Sequence, residues 1–323
     1  MARLILTYLT ASFAIFSFCY APAGFAKPPP YKIGLALWTG YPDSVQGFKD
    51  GLAENGINLS TDVTFVSGVI SSDKSAQRAA AKTLAEQKVD LVYSLTTPGT
   101  VIVKETLPAT TPIVFSIVTY PADSGLIDSF EYSGNNLVGT SNYVPIQHHI
   151  MLIFKLVPKT KHVAIFHRKG EPNSKIQATN LMRLLKRKGI NATDVEAQDM
   201  NDLKTKANTL PSSIDLYITT TDTLLQNGGE AALIQIAEQK NIPILSSNKT
   251  GIMQGSTFGP VADFYTLGKM SGKKAAEILR NDQQPSQLQS NLQDQPTFLI
   301  NRASARRLGI AIDHTDSNQY QWH

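Results

Sequence analysis

Short apolar runs alternate with amphipathic stretches along the first half of the chain. The runs occupy residues 32–38, 63–68, 89–95 and 111–118, and the stretches between them repeat apolar residues at helical spacing. Runs of this length are typical of buried strands, whereas the helical spacing indicates helices with one buried face. The order predicts strands and helices in alternation, which form a parallel sheet with helices on both faces.

The second half of the chain repeats this alternation. Its apolar runs occupy residues 161–168, 192–199, 214–220 and 242–248, with predicted helices between them. The likeness is visible in the letters, because VDLVYSLTTPGT in the first half matches IDLYITTTDTLL in the second. Two similar series predict an α/β protein of two lobes, each with its own parallel sheet.

Threonine-rich turns follow the two matching strands. They are residues 96–98 and 219–222, and they lie at the predicted carboxyl ends of those strands. Open parallel sheets bind ligands beyond the carboxyl ends of their strands. Two lobes that face each other across those ends would therefore enclose a ligand cleft.

The first 26 residues have the build of a secretory signal peptide. Arg3 is followed by an uncharged apolar run from Leu4 to Tyr20, and Ala26 ends a small-residue cleavage site. A membrane anchor is the alternative, but the run is short for a span and no basic stop follows it. We expect cleavage after Ala26, a mature chain from residue 27, and a periplasmic location.

Composition excludes some chemistry and some partners. Cys19 is the only cysteine and would leave with the signal peptide, so we expect no disulfide or thiol chemistry in the mature chain. The formal net charge of +4 gives no reason to expect a nucleic acid partner. The histidines show no spacing that would bring two of them onto one metal ion, and we expect neither a metal site nor a cofactor.

Several segments, taken in order, resemble a known family. They include DLVYSLTTPGT, TPIVFSIVTYPADSGLI, DLYITTTDTL and FGPVADFYTLGKMSGKKAAEIL. From about residue 31 to 312, the chain resembles the substrate-binding proteins of ABC transporters, in the group that includes tryptophan- and tyrosine-type binders. The resemblance implies the type I periplasmic-binding-protein architecture, with two Rossmann-like lobes, parallel sheets, a hinge and an interlobe cleft.

The resemblance also implies how the chain is shared between the lobes. Lobe 1 would comprise residues 27–142 plus about 262–290, and lobe 2 would comprise residues 143–261 plus about 291–312. The remaining tail, residues 313–323, is polar and unpatterned. We expect this tail to be loose.

Two polar residues at the predicted cleft could bind the charged groups of a ligand. Thr97 stands at a predicted helix start, where its hydroxyl and free backbone N–H groups would bind a carboxylate; an ordinary helix cap is the alternative. Asp222 follows the matching strand and could pair with an ammonium group, as an acidic residue does in the amino-acid binders that the chain resembles. Capping of the following helix is the alternative for Asp222.

Other candidates follow from their place at strand ends. Trp38 and Tyr41 flank the first strand–helix turn and could stack on a ligand ring, with a core or surface position as the alternative. Ser116 and Thr119 end the fourth strand, and Thr221 lies in the second threonine-rich turn. We expect these polar side chains to face the cleft.

The resemblance adds the turn GEPNS and the end of the last strand. It implies ligand contacts at Asn173 and Ser174, and it leaves Glu171 open between a ligand contact and a solvated charge. Many relatives carry Tyr-Asn where this chain has residues 167–169, and Asp near Asn248. An amide at Asn248 offers a donor and an acceptor without charge, so the accepted ligand could differ.

These features together predict an exported solute-binding protein that captures a small molecule for an ABC importer. The expected ligand is an amino acid, possibly an aromatic one, with a sugar as the alternative. Signalling to a membrane receptor is an alternative use of the same cleft. The chain has no nucleophile elbow, dinucleotide fingerprint, phosphate loop or zinc-protease motif, so we expect no enzyme. The expected protein partner is an inner-membrane ABC permease, and the expected state is a monomer.

Overall fold

A computed structural model describes residues 28–311 and 320–323. The predicted signal peptide and most of the predicted tail lie outside these residues. The described strands are β1 Tyr31–Ala36, β2 Val63–Ser67, β3 Leu91–Leu95, β4 Ile113–Ser116, β5 Leu137–Ser141, β6 His162–Arg168, β7 Asn191–Ala197, β8 Leu216–Thr219, β9 Ile244–Leu245, β10 Phe258–Val261, β11 Asn291–Leu292, β12 Thr297–Ile300 and β13 Gln321–Trp322. The described helices are α1 Pro42–Glu54, α2 Lys74–Glu86, α3 Thr97–Thr106, α4 Ile146–Leu156, α5 Pro172–Arg187, α6 Met200–Thr209, α7 Glu230–Lys240, α8 Lys249–Gln254, α9 Phe264–Asn281 and α10 Arg302–Arg307.

The strands form two sheets with the same internal order. The first sheet runs β11-β5-β4-β3-β1-β2, and the second runs β13-β12-β10-β9-β8-β6-β7. The described pairings are parallel except that β12 runs antiparallel to β10. The predicted α/β fold is confirmed, and the sequence repeat is explained because β3 and β8 occupy the same place in their sheets.

The chain passes between the two sheets three times. It leaves the first sheet after β5, returns between β10 and α9, and leaves again between β11 and β12. Residues 291–292 pair with β5 in the first sheet, although the sequence assigns them to lobe 2. The expected boundary near residue 290 therefore moves to a position after Leu292.

The end of the chain is part of the second sheet. The sequence predicts a loose tail over 313–323, but strand β13 pairs with β12 along Leu299 and Ile300. Tyr320 is buried in the core of the second sheet, and the guanidinium of Arg302 lies 5.2 Å from the ring centre of Trp322. The prediction is wrong for residues 320–323, because two aromatic side chains in this polar stretch find apolar and cationic partners.

Helix α9 returns from late in the chain and packs against α1 of the first lobe. Four glycines let the two backbones touch: Gly47, Gly51, Gly268 and Gly272. A Cβ atom on Gly47 would lie 2.1 Å from the carbonyl oxygen of Tyr265, and one on Gly268 would lie 2.0 Å from that of Ser44. Helix α9 therefore completes the first lobe through a contact with α1 that has no space for a side chain at these four positions.

Hydroxyl groups connect these helices to the first sheet. Ser44 Oγ on α1 lies 2.8 Å from the Tyr93 hydroxyl and 3.2 Å from Ser116 Oγ. Ser116 Oγ in turn lies 3.0 Å from Thr140 Oγ1, which lies 2.8 Å from Ser271 Oγ on α9. This buried network is satisfied only when α1, the sheet and α9 are all in place.

Candidate functional site

A cavity lies between the carboxyl ends of the two sheets, where the sequence predicts a cleft. We call it the interlobe cavity. It contains about 250 Å³ of space free of atoms, including the part open to solvent. Its walls are Tyr41, Thr96, Thr97, Pro98, Ile117, Thr119, Asn142, Glu171, Asn173, Thr221, Asp222, Thr223 and Gln226. Only about 10 Å³ of this space is open to the centre of a water-sized sphere, whereas small-molecule sites usually exceed about 300 Å³, so a ligand of amino-acid size needs the lobes or side chains to move apart.

The first-lobe wall is built around the start of helix α3. Thr96 is the helix cap, and its Oγ1 accepts a hydrogen bond from the N–H of Gly99 at 3.2 Å. Thr97 is the first helical residue; its hydroxyl is buried and has no hydrogen-bond partner among the described residues. The sequence leaves Thr97 open between a ligand group and a cap, and the structure gives the cap to Thr96. The Thr97 hydroxyl is therefore free to bind a group that enters the cavity.

Thr96 takes up this position with an unusual backbone conformation. Its φ angle is 67°, in the left-handed region that residues other than glycine and asparagine rarely adopt. Residues held in this region cost on the order of 1–3 kcal/mol and tend to occur at functional sites. Here the conformation turns the chain directly from β3 into α3 and brings the helix start to the cavity.

Two buried carboxylates form the second-lobe wall. Glu171 stands just before α5; its Oε1 accepts from the guanidinium of Arg168 at 3.1 Å, and its Oε2 accepts from the N–H of Thr223 at 3.1 Å. Asp222 follows β8; its Oδ2 accepts from the N–H of Arg168 at 3.0 Å, and its Oδ1 accepts from the N–H of Leu225 at 2.8 Å. Glu171 and Asp222 are 1% and 2% exposed, so this wall holds two acids with one nearby cation.

Burial and charge together raise the pKa of two groups that line the interlobe cavity. Burial is the main cause that raises the pKa of Asp222 to about 7, and the charge of Glu171 adds to it. Burial also raises the pKa of the Tyr41 phenol, with smaller contributions from Glu171 and Asp222 across the cavity. Ionised Asp222 therefore lacks a compensating charge, and a ligand cation would supply one.

Asn173 adds an acceptor to the same wall. Its side-chain Nδ2 donates to the carbonyl oxygen of Thr221, and this bond fixes the orientation of the amide group. That Oδ1 is buried and has no partner in the described part of the chain. Together with Glu171 and Asp222, it gives the second lobe three acceptor groups at the interlobe cavity. This number matches the three N–H donors of a primary ammonium group.

The lobes touch through a pair of threonines beside the cavity. Thr119 Oγ1 of the first lobe lies 3.1 Å from Thr221 Oγ1 of the second and 3.0 Å from Asn142 Oδ1. The backbone N–H and the hydroxyl of Thr221 are both held at 2.9 Å by Gln177 Oε1. The contact closes the described structure around the interlobe cavity.

A second cavity lies on the other side of this threonine pair, beside the chain crossings. We call it the hinge-side cavity; it contains about 210 Å³ and shares Thr119, Asn142 and Thr221 with the first. Its polar wall includes His149, whose Nε2 lies 3.1 Å from Ser247 Oγ. Burial is the main cause that lowers the pKa of His149 to about 4, so this histidine is neutral at ordinary pH.

Six of the ten predicted ligand residues line the interlobe cavity. They are Tyr41, Thr97, Thr119, Asn173, Thr221 and Asp222. Tyr41 is the aromatic that the sequence places at the first turn, and its ring lies 5.5 Å from that of Phe264 at the start of α9. Whether these side chains contact a ligand stays a prediction, but the structure brings them into one place.

The other four predicted residues lie outside the interlobe cavity. Trp38 is 2% exposed in the first-lobe core, and Ser116 belongs to the hydroxyl network behind the sheet. Ser174 Oγ donates to the carbonyl oxygens of Arg168 and Glu171, so it stabilises the turn. Asn248 lies behind the wall, where its amide donates to Glu230 Oε2 at 2.8 Å.

Seven more residues line the cavity, and of these the sequence raises only Glu171, which it leaves open between a ligand contact and a solvated charge. They are Thr96, Pro98, Ile117, Asn142, Glu171, Thr223 and Gln226. Each lies within three residues of a predicted ligand residue except Asn142, which follows β5 at the first crossing, and Gln226, which stands in a π-helical turn spanning Leu225–Gly229. A wider window around each strand end would have found most of them, whereas the kinked turn that carries Gln226 leaves no recognisable spacing.

The described residues lack two features that would indicate other functions. They contain no group of three or more His, Cys, Asp or Glu residues that could hold a metal ion. They also contain no helix that is long and apolar enough to cross a membrane.

Two α/β lobes with equivalent sheets, three crossings and a cavity between them define the two-lobed fold of the type I periplasmic binding proteins. Residues 39–318 match the family described as "ABC transporter substrate binding protein". The match spans most of the chain, and this protein therefore belongs to that family of ABC transporter substrate-binding proteins.

Individual relatives support the family and the fold. The chain is 24% identical over 294 residues to the "Tyrosine-binding protein" of Clostridioides difficile, with 90% of this chain and 84% of that protein covered. A structure of an ABC domain with L-Trp from Streptococcus pneumonia has a TM-score of 0.84 at 23% identity and covers 90% of this chain and 99% of its own. A conserved domain protein from Vibrio cholerae has a TM-score of 0.85 at 21% identity, with coverage of 91% and 99%.

Proposed function

We propose that this protein binds an amino acid in the interlobe cavity and delivers it to an ABC permease. The observation that carries the proposal is the second-lobe wall, where, among the described residues, Asp222 is buried without a compensating charge and Asn173 Oδ1 has no partner. A ligand ammonium would satisfy both groups, because a buried charge is tolerated only when it is paired and hydrogen-bonded.

The opposite wall suits the ligand carboxylate. The unpartnered Thr97 hydroxyl lies at the start of α3, where the helix dipole favours negative charge. The two walls belong to different lobes, so a ligand that carries both groups would hold the lobes together. Ligand binding and lobe closure would then be one event, as in other hinged proteins.

The ligand side chain is proposed to be aromatic. Tyr41 and Phe264 form a ring pair at the edge of the cavity, and Ile117 and Pro98 add apolar surface. A relative is named for binding tyrosine, and a similar structure contains L-Trp. These relatives are distant, so the choice among amino acids needs a direct measurement.

Export and partners complete the proposal. The apolar N-terminal segment supports cleavage after Ala26 and a periplasmic protein, which fits a family that works outside the cytoplasm. We propose that the protein acts as a monomer, has no enzymatic activity, and has a permease of the inner membrane as its partner.

The first test is a binding screen of the purified protein by thermal shift and calorimetry against amino acids and sugars. A ligand at a hundred times its Kd should stabilise the protein by about 2.7 kcal/mol, which moves the melting temperature measurably. We expect an aromatic amino acid to bind and its N-acetyl derivative, which has no ammonium group, to fail. Binding of sugars alone, or equal binding of the acetylated compound, would contradict the proposal.

Matched variants locate the binding groups. Asp222→Asn keeps the shape of the side chain and should raise the Kd by at least about tenfold, since pairs with a charged group contribute about 1.5–3 kcal/mol. Thr97→Val, which removes only the unpartnered hydroxyl, should raise it by a smaller factor. Thr100→Val is the control, because the Thr100 hydroxyl bonds to Ser94 inside the first lobe and does not line the cavity.

A further inference from the structure

The side chain of Gln226 lines the interlobe cavity from a turn of unusual shape. The turn spans Leu225–Gly229 and is kinked, because Asn227 leaves the helical conformation. It lies against the first-lobe turn that carries Tyr41, since a Cβ atom on Gly40 would be 3.0 Å from Asn227 Oδ1. Gln226 therefore stands at the same edge of the cavity as the ring of Tyr41.

Buried partners fix the orientation of the Gln226 amide group. Asn248, which is 1% exposed, donates from Nδ2 to Glu230 Oε2 at 2.8 Å and to the carbonyl oxygen of Thr220 at 3.2 Å. A carbonyl oxygen can only accept, so Nδ2 has to point at Thr220, and Asn248 Oδ1 faces Gln226. Gln226 Nε2 donates to that oxygen, which leaves Oε1 as the end of the amide that can meet a ligand.

The cavity therefore holds one acceptor more than a ligand ammonium needs. Glu171, Asp222 and Asn173 Oδ1 match the three N–H donors of a primary ammonium group. Gln226 Oε1 is a fourth acceptor, and it lies at the aromatic edge of the cavity. An acceptor that the ammonium leaves unused is available to a donor on the ligand side chain.

We infer that Gln226 determines which aromatic amino acids are accepted: its Oε1 accepts a hydrogen bond from a phenol O–H or an indole N–H, and the site discriminates against rings without a donor. Asn248 and Glu230 are positioning residues, because they hold the amide with its acceptor end toward the cavity. A ring without a donor would bury this acceptor unpaired, which is how such sites reject analogues. This inference rests on the proposed function, because it concerns the side chain of the same ligand.

Two pairs of ligands, each differing in one donor, test the inference on the wild-type protein. They are tyrosine against phenylalanine, and tryptophan against 3-benzothienylalanine, in which sulfur replaces the indole N–H. Each compound is titrated into the purified protein by calorimetry. In at least one pair, we expect the donor-bearing ligand to bind at least about fivefold tighter, which is the scale of one hydrogen bond.

Variants of Gln226 test whether this residue causes the preference. Gln226→Met keeps the length of the side chain and removes the amide, so it should reduce the ratio of the two Kd values at least about threefold. Gln226→Ala is the second variant, in case the first does not fold. Gln235→Met is the control: this glutamine is exposed on α7 in the same lobe and does not line the cavity, so the ratio should not change.

A variant of Asn248 tests the positioning role. Asn248→Ala leaves Gln226 in place but removes the oxygen that holds its amide, so the acceptor end is no longer fixed toward the cavity. The ratio of the two Kd values should therefore fall in this variant too. Equal weakening of both ligands would mean that Asn248 only supports the structure and does not orient Gln226.

The outcomes separate this inference from the proposed function. If aromatic amino acids bind but neither pair reaches about fivefold, the preference for a donor is wrong and the proposed function stands. If the preference exists but the Gln226 variants reduce it by less than about threefold, Gln226 does not determine it. If no aromatic amino acid binds, the proposed function is wrong and this inference is wrong with it.

Discussion

Asp222 both caps the turn that follows β8 and lines the interlobe cavity. The sequence offers helix capping and ligand binding as alternatives, and the structure shows the first while leaving room for the second. Its Oδ1 accepts from the N–H of Leu225 at 2.8 Å, which caps the following turn, and its carboxylate also lines the interlobe cavity. A carboxylate has several lone pairs, so capping does not use up its capacity to bind an ammonium.

The raised pKa of Asp222 predicts how stability depends on pH. Because the pKa rises from 3.8 to about 7 on folding, the ligand-free native state binds a proton between pH 4 and 7 that the unfolded state has lost. The free energy of unfolding should therefore fall as pH rises through this window, and remain at its lower value above pH 7. Melting temperatures measured from pH 4 to 8 check this prediction, because each kcal/mol lost from the free energy of unfolding lowers the melting temperature by about 2–4 °C.

Two variants test whether Asp222 is the cause. Asp222→Asn should flatten the fall in stability between pH 4 and 7. Asp194→Asn should leave the fall between pH 4 and 7 unchanged: burial raises the pKa of Asp194, but the Lys175 hydrogen bond and the charge of His167 hold it below its usual range, so Asp194 titrates below this window. The contribution of Asp194 is present above the ordinary aspartate pKa and is lost as pH falls. A wild-type profile that rises from pH 4 to 7 would contradict the assignment.

At the residue scale the sequence predicts where the site lies better than which side chains face it. Tyr41 and Asp222 both line the interlobe cavity, because the carboxyl ends of parallel strands converge there. Ser116 and Ser174 also stand at such ends, but their hydroxyls turn inward to Thr140 and to backbone carbonyls. The direction of a short polar side chain depends on partners from distant parts of the chain, and no local pattern records them.

At the element scale the order of strands and helices follows the apolar pattern, whereas some ends do not. The sequence predicts a strand over 242–248, but β9 comprises only Ile244–Leu245. Ser246 Oγ accepts from the N–H of Asn248 at 2.9 Å, which folds the chain into a turn at once. The predicted strand 111–118 similarly ends at Ser116, because Ile117 adopts a φ angle of 58°.

The contact between α1 and α9 gives a prediction about stability. Gly268→Ala would place a Cβ atom 2.0 Å from the carbonyl oxygen of Ser44, and a backbone group cannot move away without separating the helices. We expect a loss of about 1–3 kcal/mol or more in the free energy of unfolding, measured by urea denaturation.

The control for this substitution lies on the same helix. Lys273 is exposed on α9, and Lys273→Ala introduces a good helix former without a clash, so it should change stability by less than about 0.5 kcal/mol. Equal stability of the wild type and Gly268→Ala would mean that the helices separate easily.

At the scale of the whole molecule, polar contacts join the two lobes. The Thr119–Thr221 pair is one of them, and it separates the interlobe cavity from the hinge-side cavity. A ligand that enters the interlobe cavity must either displace the contact between these two threonines or bind beside it. The described structure is therefore a closed form that a hinge motion has to open.

Weakening this contact should shift the ligand-free protein toward open forms. Thr119→Val keeps the side-chain shape and removes the hydroxyl that lies 3.1 Å from Thr221 Oγ1 and 3.0 Å from Asn142 Oδ1. We expect a larger radius of gyration by small-angle X-ray scattering without ligand, and a Kd higher by about two- to tenfold, which is the scale of one hydrogen bond.

A second threonine variant, which removes a buried hydroxyl inside one lobe, serves as the control. Thr100→Val removes a hydroxyl that lies 2.9 Å from Ser94 Oγ within the first lobe. It should lower the melting temperature without changing the radius of gyration. A change in radius for both variants, or for neither, would contradict a role for the threonine pair in closure.

The return of α9 and the pairing of β13 also determine when the protein can fold. The first lobe lacks a helix and an edge strand until residue 292 is available, and the second lacks an edge strand until Trp322 is. A ribosome releases the chain from its N-terminus, so neither lobe can be completed until synthesis is nearly over. We expect such late completion to favour export of an unfolded chain, which the predicted signal peptide would require.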